Sequence, residues 1–223
     1  MTIALVFLTV IMVAVVAWLL RQTLNTKPWI EQQHPIASIR GEGALSLPPV
    51  KVGLGVFLAV ATSLFALFIS AYFMRRMGAD WTRLADPTVL WWNTALLCLG
   101  SIYFQRTRAA AQRGQIDGVK VGLLAGGAFT FAFLAGQLWA WRQLNASGFY
   151  VAANPASDFF YLLTALHGLH LLGGLWVWGR TTAKVWRGGF EVAAVRLSVE
   201  LCTVYWHFLL VVWLILFGLL LST

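Results

Sequence analysis

The stretch E-L-C-T-V-Y-W-H-F-L-L-V-V-W-L-I-L-F, residues 200–217, decides the fold of this chain. It is apolar enough to lie inside a membrane, yet it contains Glu200 and His207, seven residues apart. Seven residues are two turns of an α-helix, so both side chains lie on one face. Ionisable side chains in membrane helices usually face the interior of a helix bundle. The stretch therefore predicts a membrane helix that packs against other helices.

The preceding apolar stretch, residues 159–179, carries His167 and His170 three positions apart, again on one face. Three imidazoles and one carboxylate thus project from two neighbouring membrane helices. A charged residue at the centre of such a helix costs roughly 2.5 to 3.5 kcal/mol on insertion scales. We therefore expect these side chains to serve a function or a packing contact inside a bundle.

The composition predicts a polytopic membrane protein. Of 223 residues, 60% are hydrophobic and 11% are charged, whereas a soluble domain has about 45 to 50% apolar and about 25% charged residues. The net charge of +8 lies in short runs between apolar segments, as topology signals do, which argues against nucleic-acid binding. Cys98 and Cys202 lie inside apolar segments, so they are interpreted as small buried side chains.

Six charge-free stretches are long enough to cross a bilayer, which takes about 20 apolar residues. They are residues 2–20, 52–74, 87–105, 121–141, 159–179 and 201–223. The six prolines all lie between these stretches or at their edges, as unbroken helices require. We therefore predict an all-α protein with six transmembrane helices. Residues 1–20 hold an N-terminal helix, residues 21–51 a linker on the cytoplasmic side, and residues 52–223 a five-helix bundle.

Two local features refine the prediction for the last two helices. Asp158 directly precedes the fifth stretch and is the expected N-cap of its helix. Trp206 and Trp213 lie deep in the last stretch, away from the interfacial belts that tryptophan favours, so each needs a packing partner.

The basic residues predict the orientation of the chain. When alternate loops are assigned to the same side, 12 of the 16 Lys and Arg residues fall on one side. By the positive-inside rule that side is cytoplasmic, and both termini are predicted to lie on the outer side.

The three histidines allow two interpretations. Imidazole suits copper and heme iron, so His167, His170 and His207 are candidate ligands. Their spacing fits a heme site poorly, because a heme held between helices needs histidines at matched depths on facing helices. The alternative is that each histidine donates a hydrogen bond across a helix interface, as polar side chains between membrane helices do.

The remaining polar residues suggest two further roles. Glu200 lies near the predicted cytoplasmic end of its helix, where it could belong to a proton path with His207. No other predicted span carries a carboxylate in its middle, and the chain lacks a P-loop and an H-E-x-x-H zinc motif, so we predict no catalytic site. Arg180 and Lys184, four residues apart, are candidates for binding lipid phosphates, unless they only fix the orientation.

Two segments resemble a known family. They are T-A-L-H-G-L-H-L-L-G-G, residues 164–174, and E-L-C-T-V-Y-W-H-F-L-L-V-V-W-L, residues 200–214. Subunit III of the heme-copper terminal oxidases carries a similar T-G-x-H-G-x-H-V in its penultimate helix and E-x6-H-F-x-D-V-V-W in its last helix. The resemblance covers about residues 52–217.

Two acids of the family pattern are missing from this chain. Val60-Ala61 stands where the family often has a glutamate, in F-L-A-S-E, and Leu210 stands where it has an aspartate. A role of those acids in tuning proton uptake therefore does not carry over. The first helix also differs, because long forms have two extra N-terminal helices and short bacterial forms have none.

The resemblance implies a non-catalytic subunit of a respiratory complex in the inner membrane. Heme and copper are expected in a partner, the catalytic subunit I, and not in this chain. His167, His170, Glu200 and His207 carry over as interhelical polar contacts, and a cleft between helices is expected to hold phospholipid. The chain would support assembly, sustained turnover and proton uptake during oxygen reduction. The alternatives are an accessory homologue of a nitric oxide reductase, a heme- or copper-binding membrane protein, and a transporter.

Overall fold

The computed structural model describes residues 49–81, 88–151, 154–187 and 192–222. In this part of the chain all regular structure is helical, which confirms the prediction of an all-α protein for these residues. The helices are α1 (Pro49–Arg75), α2 (Val89–Gln112), α3 (Ile116–Ala146), α4 (Pro155–Arg187) and α5 (Val192–Leu221). The predicted first helix and nearly all of the predicted linker lie outside the described residues.

Four of the five described helices are long and apolar enough to cross a membrane, namely α1, α3, α4 and α5. This agrees with the prediction of a multi-pass membrane protein. Helix α2 is less apolar because Asn93, Thr94, Ser101 and Gln105 interrupt its hydrophobic residues. Its 24 residues nevertheless extend over about 36 Å at 1.5 Å per residue.

The helices are longer than the charge-free stretches that predicted them. Helix α4, for example, begins at Pro155 and continues to Arg187, beyond both ends of the stretch at residues 159–179. Backbone hydrogen bonding does not stop where the apolar residues stop, so composition marks only the apolar part of each helix.

The predicted N-cap of α4 is wrong. Asp158 lies inside the first turn, and the cap is Asn154, whose Oδ1 accepts a hydrogen bond from the backbone N–H of Ala156 at 3.1 Å. Pro155 occupies the first helical position, where its missing N–H leaves no hydrogen bond unmade. The carboxylate of Asp158 still suits this place, because negative charge near a helix N-terminus is favourable.

The described residues divide into two compact units after Phe73, and each is described by itself. In α1, the residues Ala61, Phe65, Ile69 and Tyr72 are buried, and their spacing of three or four residues places them on one helix face. Ala61, which stands where the family often has a glutamate, is thus a buried apolar residue of this face.

The second unit is a four-helix arrangement in which each helix packs on its neighbours. Helix α2 packs on α3, α3 on α4, α4 on α5, and α5 again on α2. In the turn after α2 and in the turn after α3, a glycine just beyond the helix end takes the left-handed conformation, Gly114 at φ 72° and Gly148 at φ 85°. In each turn the residue after the glycine donates its N–H to a carbonyl five positions earlier, Gln115 to Ala110 and Phe149 to Leu144.

Glycines bring α3 close to its neighbours. Gly122 and Gly126 lie one turn apart and face α2, and a Cβ added at Gly126 would lie 2.8 Å from the ring of Phe104. On the other side, the ring of Trp178 in α4 occupies the space that a Cβ at Gly127 would need. Small residues at such contacts let helix backbones approach, which is how membrane helices gain packing energy.

We expect Gly126→Ala to destabilise the protein, because the Phe104 ring fills the space that the new methyl group needs. Overpacking of this kind costs about 1 to 3 kcal/mol. Thermal unfolding in detergent measures the change. Gly168→Ala is the matched control, since no heavy atom lies within 4 Å of a Cβ at that position. Equal melting temperatures for the two variants would contradict the expectation.

Candidate functional site

An ion pair joins α2 and α5 at the predicted cytoplasmic ends of these helices. The Arg108 Nη2 atom lies 3.3 Å from Glu200 Oε1, and the two side chains are 33% and 28% exposed. The Nε of Arg108 is buried and has no hydrogen-bond partner among the described residues. The pair therefore neutralises the carboxylate of Glu200 within this part of the chain.

Thr203 links the same two helices one turn further along α5. Its buried hydroxyl lies 3.1 Å from the carbonyl oxygen of Phe104 in α2 and 2.8 Å from that of Val199 in its own helix. The ring of Phe104 in turn packs on Trp206, with ring centroids 4.4 Å apart. A polar contact and an aromatic contact thus hold α5 against α2 at this level.

His207 and His170 use one ring nitrogen in the same way. The Nδ1 atoms lie 2.8 Å from the carbonyl oxygens of Thr203 and Leu166, each four residues earlier in the same helix. Since a carbonyl only accepts hydrogen bonds, Nδ1 carries the proton in both contacts, and Nε2 of a neutral ring is then an acceptor. Across the helices, the hydroxyl of Tyr205 in α5 donates to the carbonyl oxygen of His170 in α4 at 2.8 Å.

His167 lies in the core where α3, α4 and α5 meet. It is fully buried, and its ring contacts Phe133 edge-on at a centroid distance of 5.9 Å. The ring of Trp213 in α5 lies 5.3 Å away on another side. The surroundings of His167 are therefore largely aromatic.

Three tryptophans donate from one helix to a threonine of another, an arrangement that we call a Trp–Thr relay. Trp206 Nε1 donates to Thr130 Oγ1 at 2.9 Å, and the Thr130 hydroxyl donates to the carbonyl oxygen of Gly126 at 2.8 Å. Trp213 and Thr94 repeat the pattern between α5 and α2. The prediction that these two deep tryptophans need packing partners is confirmed.

The third Trp–Thr relay joins α3 to α4. Trp141 Nε1 donates to Thr164 Oγ1 at 3.1 Å, and Thr164 donates to the carbonyl oxygen of Phe160 at 2.6 Å. In all three relays the threonine hydroxyl accepts one hydrogen bond and donates another, so no donor is left over. Trp178 Nε1 joins α4 to α3 without a threonine, by donating to the carbonyl oxygen of Leu123 at 2.9 Å.

Sequence reasoning missed the partners of these polar groups. Arg108 is one of the basic residues that predict the orientation, and nothing in its place in the sequence indicates its contact with Glu200 across 92 residues of chain. Nothing in the sequence indicates the tryptophan partners of Thr94 and Thr130, because threonine is common in membrane helices. Their positions opposite deep tryptophans become apparent only when the helices are packed.

The described residues contain no group of three or more His, Cys, Asp or Glu side chains that could hold a metal ion. Arg180, a candidate for lipid binding, stacks its guanidinium 5.9 Å above the ring of Trp176, and Lys184 is half-buried one turn later. Two interpretations stay predictions. The first is that His167, His170, Glu200 and His207 act as interhelical contacts. The second is that Arg180 and Lys184 bind lipid headgroups.

Comparison with known proteins identifies relatives over most of the chain. No family model matches it. Cytochrome c oxidase subunit 3 of Thermostichus vulcanus is 29% identical over 179 residues, which cover 76% of this chain and 85% of that protein. The protein described as probable cytochrome c oxidase subunit 3 of Nocardia farcinica is 31% identical over 182 residues, or 76% and 85% of the two chains. Its counterpart in Mycobacterium bovis is 30% identical over 175 residues, or 75% and 85%.

We expect Trp206→Phe and Thr130→Val to be coupled, because the two side chains share one hydrogen bond. Each single change should destabilise the protein, and the double variant should lose less than the sum. The coupling should be about 0.6 to 1.7 kcal/mol, the range measured between membrane helices. Unfolding in detergent measures it. Trp206→Phe with Thr181→Val is the control pair, since Thr181 bonds within α4. Strict additivity for Trp206 and Thr130 would contradict the expectation.

Proposed function

Because the chain belongs to the cytochrome c oxidase subunit 3 family, we propose that it is the non-catalytic transmembrane subunit III of a respiratory heme-copper oxidase. The observation that carries the proposal is the agreement of relatives at 30% identity or more over three quarters of the chain. In this role the protein binds the catalytic subunit I, which holds heme and copper, and supports assembly, turnover and proton uptake during oxygen reduction.

The polar residues of the described helices support a structural role. Glu200 pairs with Arg108, and the tryptophan and threonine side chains of the relays bond to one another. These contacts hold the four helices α2 to α5 together. An accessory subunit needs such a rigid body, because its function depends on presenting a fixed surface to its partner.

The proposal includes the arrangement of the chain in the membrane. We place six helices across the inner membrane, with α2 as one of them and residues 1–20 as another, followed by the linker at residues 21–51. The distribution of basic residues supports a cytoplasmic position for the linker and an outer position for both termini. Residues 52–223 then form the five-helix body of the subunit.

The proposal also includes a bound phospholipid near the cytoplasmic end of α4. Arg180 and Lys184 lie one turn apart near the end of that helix. Arg180 stacks on Trp176, and a tryptophan beside a cation is a common pair at the level of lipid headgroups. Two cations at this level suit the phosphate of an anionic lipid.

One feature of the sequence favours an alternative partner. The acids that the family often has are replaced by apolar residues, and the first of these, Ala61, is buried in α1. Leu210 is the second. A partner that needs no proton uptake through these acids is compatible with both replacements, so an accessory subunit of a nitric oxide reductase or of another respiratory complex is the second candidate.

We expect a heme-bearing subunit to co-purify with the affinity-tagged chain from solubilised native membranes. The complex should show a Soret band and reduce oxygen with an electron donor. The chain expressed alone should show neither, since the described part offers no cluster of metal ligands. Optical spectra and oxygen consumption measure both.

Two outcomes of this experiment would contradict the proposal. One is a Soret band in the isolated chain that disappears in His170→Ala or His207→Ala. The other is a purified native chain without any heme-bearing partner. A partner that reduces nitric oxide and not oxygen would favour the second candidate.

We expect the double variant Arg180→Gln with Lys184→Gln to lose most of the anionic lipid that co-purifies with the complex. Native mass spectrometry of the purified complex measures the bound lipid. The matched control is Arg113→Gln with Lys120→Gln, which removes the same charges from the same predicted side at other helices. An equal loss in both double variants would show that the basic side attracts lipid without a specific site.

A further inference from the structure

A pair of carboxamide side chains lies in the core between α2 and α3. Asn93 of α2 is 1% exposed, and Gln137 of α3 is 5% exposed. Asn93 Nδ2 donates to Gln137 Oε1 at 3.4 Å, which is long for a hydrogen bond between an amide and an oxygen. Helix α3 has its midpoint at Phe131, so Gln137 lies about 9 Å from the middle of the helix, at the depth of the hydrocarbon.

Only one of the two hydrogen bonds that this pair can form is made. Two carboxamides can each donate an N–H to the oxygen of the other. Gln137 Nε2 is buried and has no hydrogen-bond partner among the described residues. Asn93 Oδ1 accepts no hydrogen bond from the described part of the chain, and it lies in the space that a Cβ at Gly136 would need. One donor and one acceptor of the pair are therefore left over.

The groups beside the pair do not supply the missing partners. Thr94, next to Asn93, already accepts from Trp213 Nε1 and donates to a carbonyl of its own helix. Gly136, next to Gln137, has no side chain. Lipid does not reach the pair because both residues are buried, and hydrocarbon would offer neither a donor nor an acceptor.

The two leftover atoms define the chemistry of a ligand. Nε2 presents a proton, so it suits an acceptor and not a cation, whereas Oδ1 presents lone pairs, so it suits a donor and not an anion. A ligand of this pair must therefore accept one hydrogen bond and donate another. It must also be small, because it lies between two closely packed helices. Water meets both requirements.

We propose that one water molecule is bound in the core by Gln137 and Asn93. Its oxygen accepts a hydrogen bond from Gln137 Nε2, and one of its O–H groups donates to Asn93 Oδ1. Buried water in proteins bridges polar groups that lack another partner in this way. The contact of the more polar helix α2 with α3 at this depth then has three members, two side chains and a bound water, and both carboxamides are satisfied.

A structure of the native protein at a resolution that shows ordered water tests the site. We expect a water peak at about 2.7 to 3.2 Å from both Gln137 Nε2 and Asn93 Oδ1. A direct hydrogen bond between these two atoms would close the pair without a ligand and would overturn the inference. A map that shows ordered water elsewhere in the core and none at this pair would overturn it as well.

Solid-state NMR of the full chain in lipid bilayers tests the water by a signal that does not depend on the orientation of the amides in a map. Glutamine and tryptophan side chains are labelled with nitrogen-15, and magnetisation is transferred from water protons. We expect transfer to the Gln137 amide, identified by its loss in Gln137→Met, and to the exposed Gln143. We expect none to the indole of Trp206, which is 1% exposed and bonded to Thr130. No transfer to Gln137, or equal transfer to Gln137 and Trp206, contradicts a bound water at this pair.

The variant Asn93→Leu separates a bound water from general hydration of the core. Leucine has a similar volume but lacks the acceptor Oδ1, so transfer from water to the Gln137 amide should be lost while transfer to Gln143 stays unchanged. Retained transfer to Gln137 in this variant would show that Asn93 does not hold the water. If Asn93→Leu does not fold, the measurements on the unaltered chain still decide the question.

Discussion

The indole N–H groups of the deep tryptophans depend on neighbouring helices for an acceptor, because hydrocarbon supplies none. The Trp–Thr relays meet this constraint with one repeated solution. An indole N–H donates to a threonine of another helix, and the threonine hydroxyl donates to a carbonyl of its own helix. Since both ends are satisfied, a bulky polar side chain can lie in the core without an unpaired donor. Much of the packing of α5 against α2 and α3 follows from this pattern.

Large aromatic side chains and glycines complement one another around the relays. Trp206, which donates to Thr130, also packs on the ring of Phe104, and that ring occupies the space beside Gly126. Gly174 gives similar room to Tyr205, whose hydroxyl crosses to α4. The close approach of the backbones and the deep placement of the aromatic rings therefore depend on each other, since neither fits without the other.

The sequence was sufficient to predict the five described helices but not their ends. Apolar stretches of about 20 residues identify membrane helices reliably, because a bilayer demands that length. The ends depend on capping contacts between nearby residues. Asn154 caps α4 in place of Asp158 because its side chain reaches the N–H of Ala156, a matter of backbone geometry that composition does not report. Likewise, Arg187 belongs to α4 although it lies beyond the apolar part.

Only part of the candidate site could be predicted from the sequence, because its contacts also depend on how distant helices pack. Helical spacing places Glu200 and His207 on one face, which a sequence shows directly. The partner of Glu200 depends on how α2 packs against α5, and Arg108 is distant in the chain. The proton position on His207 depends on the 2.8 Å contact with Thr203 O, which a sequence cannot show.

The turn between α2 and α3 has a consequence for biosynthesis. Of the five described helices, α2 is the one least suited to enter the bilayer alone, since Asn93 and Thr94 lie within it and find partners in other helices. The turn around Gly114 is only three residues long, residues 113–115, so α3 follows α2 immediately during translation. The two helices are therefore synthesised as one hairpin, in which the apolar α3 directly follows the more polar α2 and Gln137 supplies the acceptor for the side chain of Asn93.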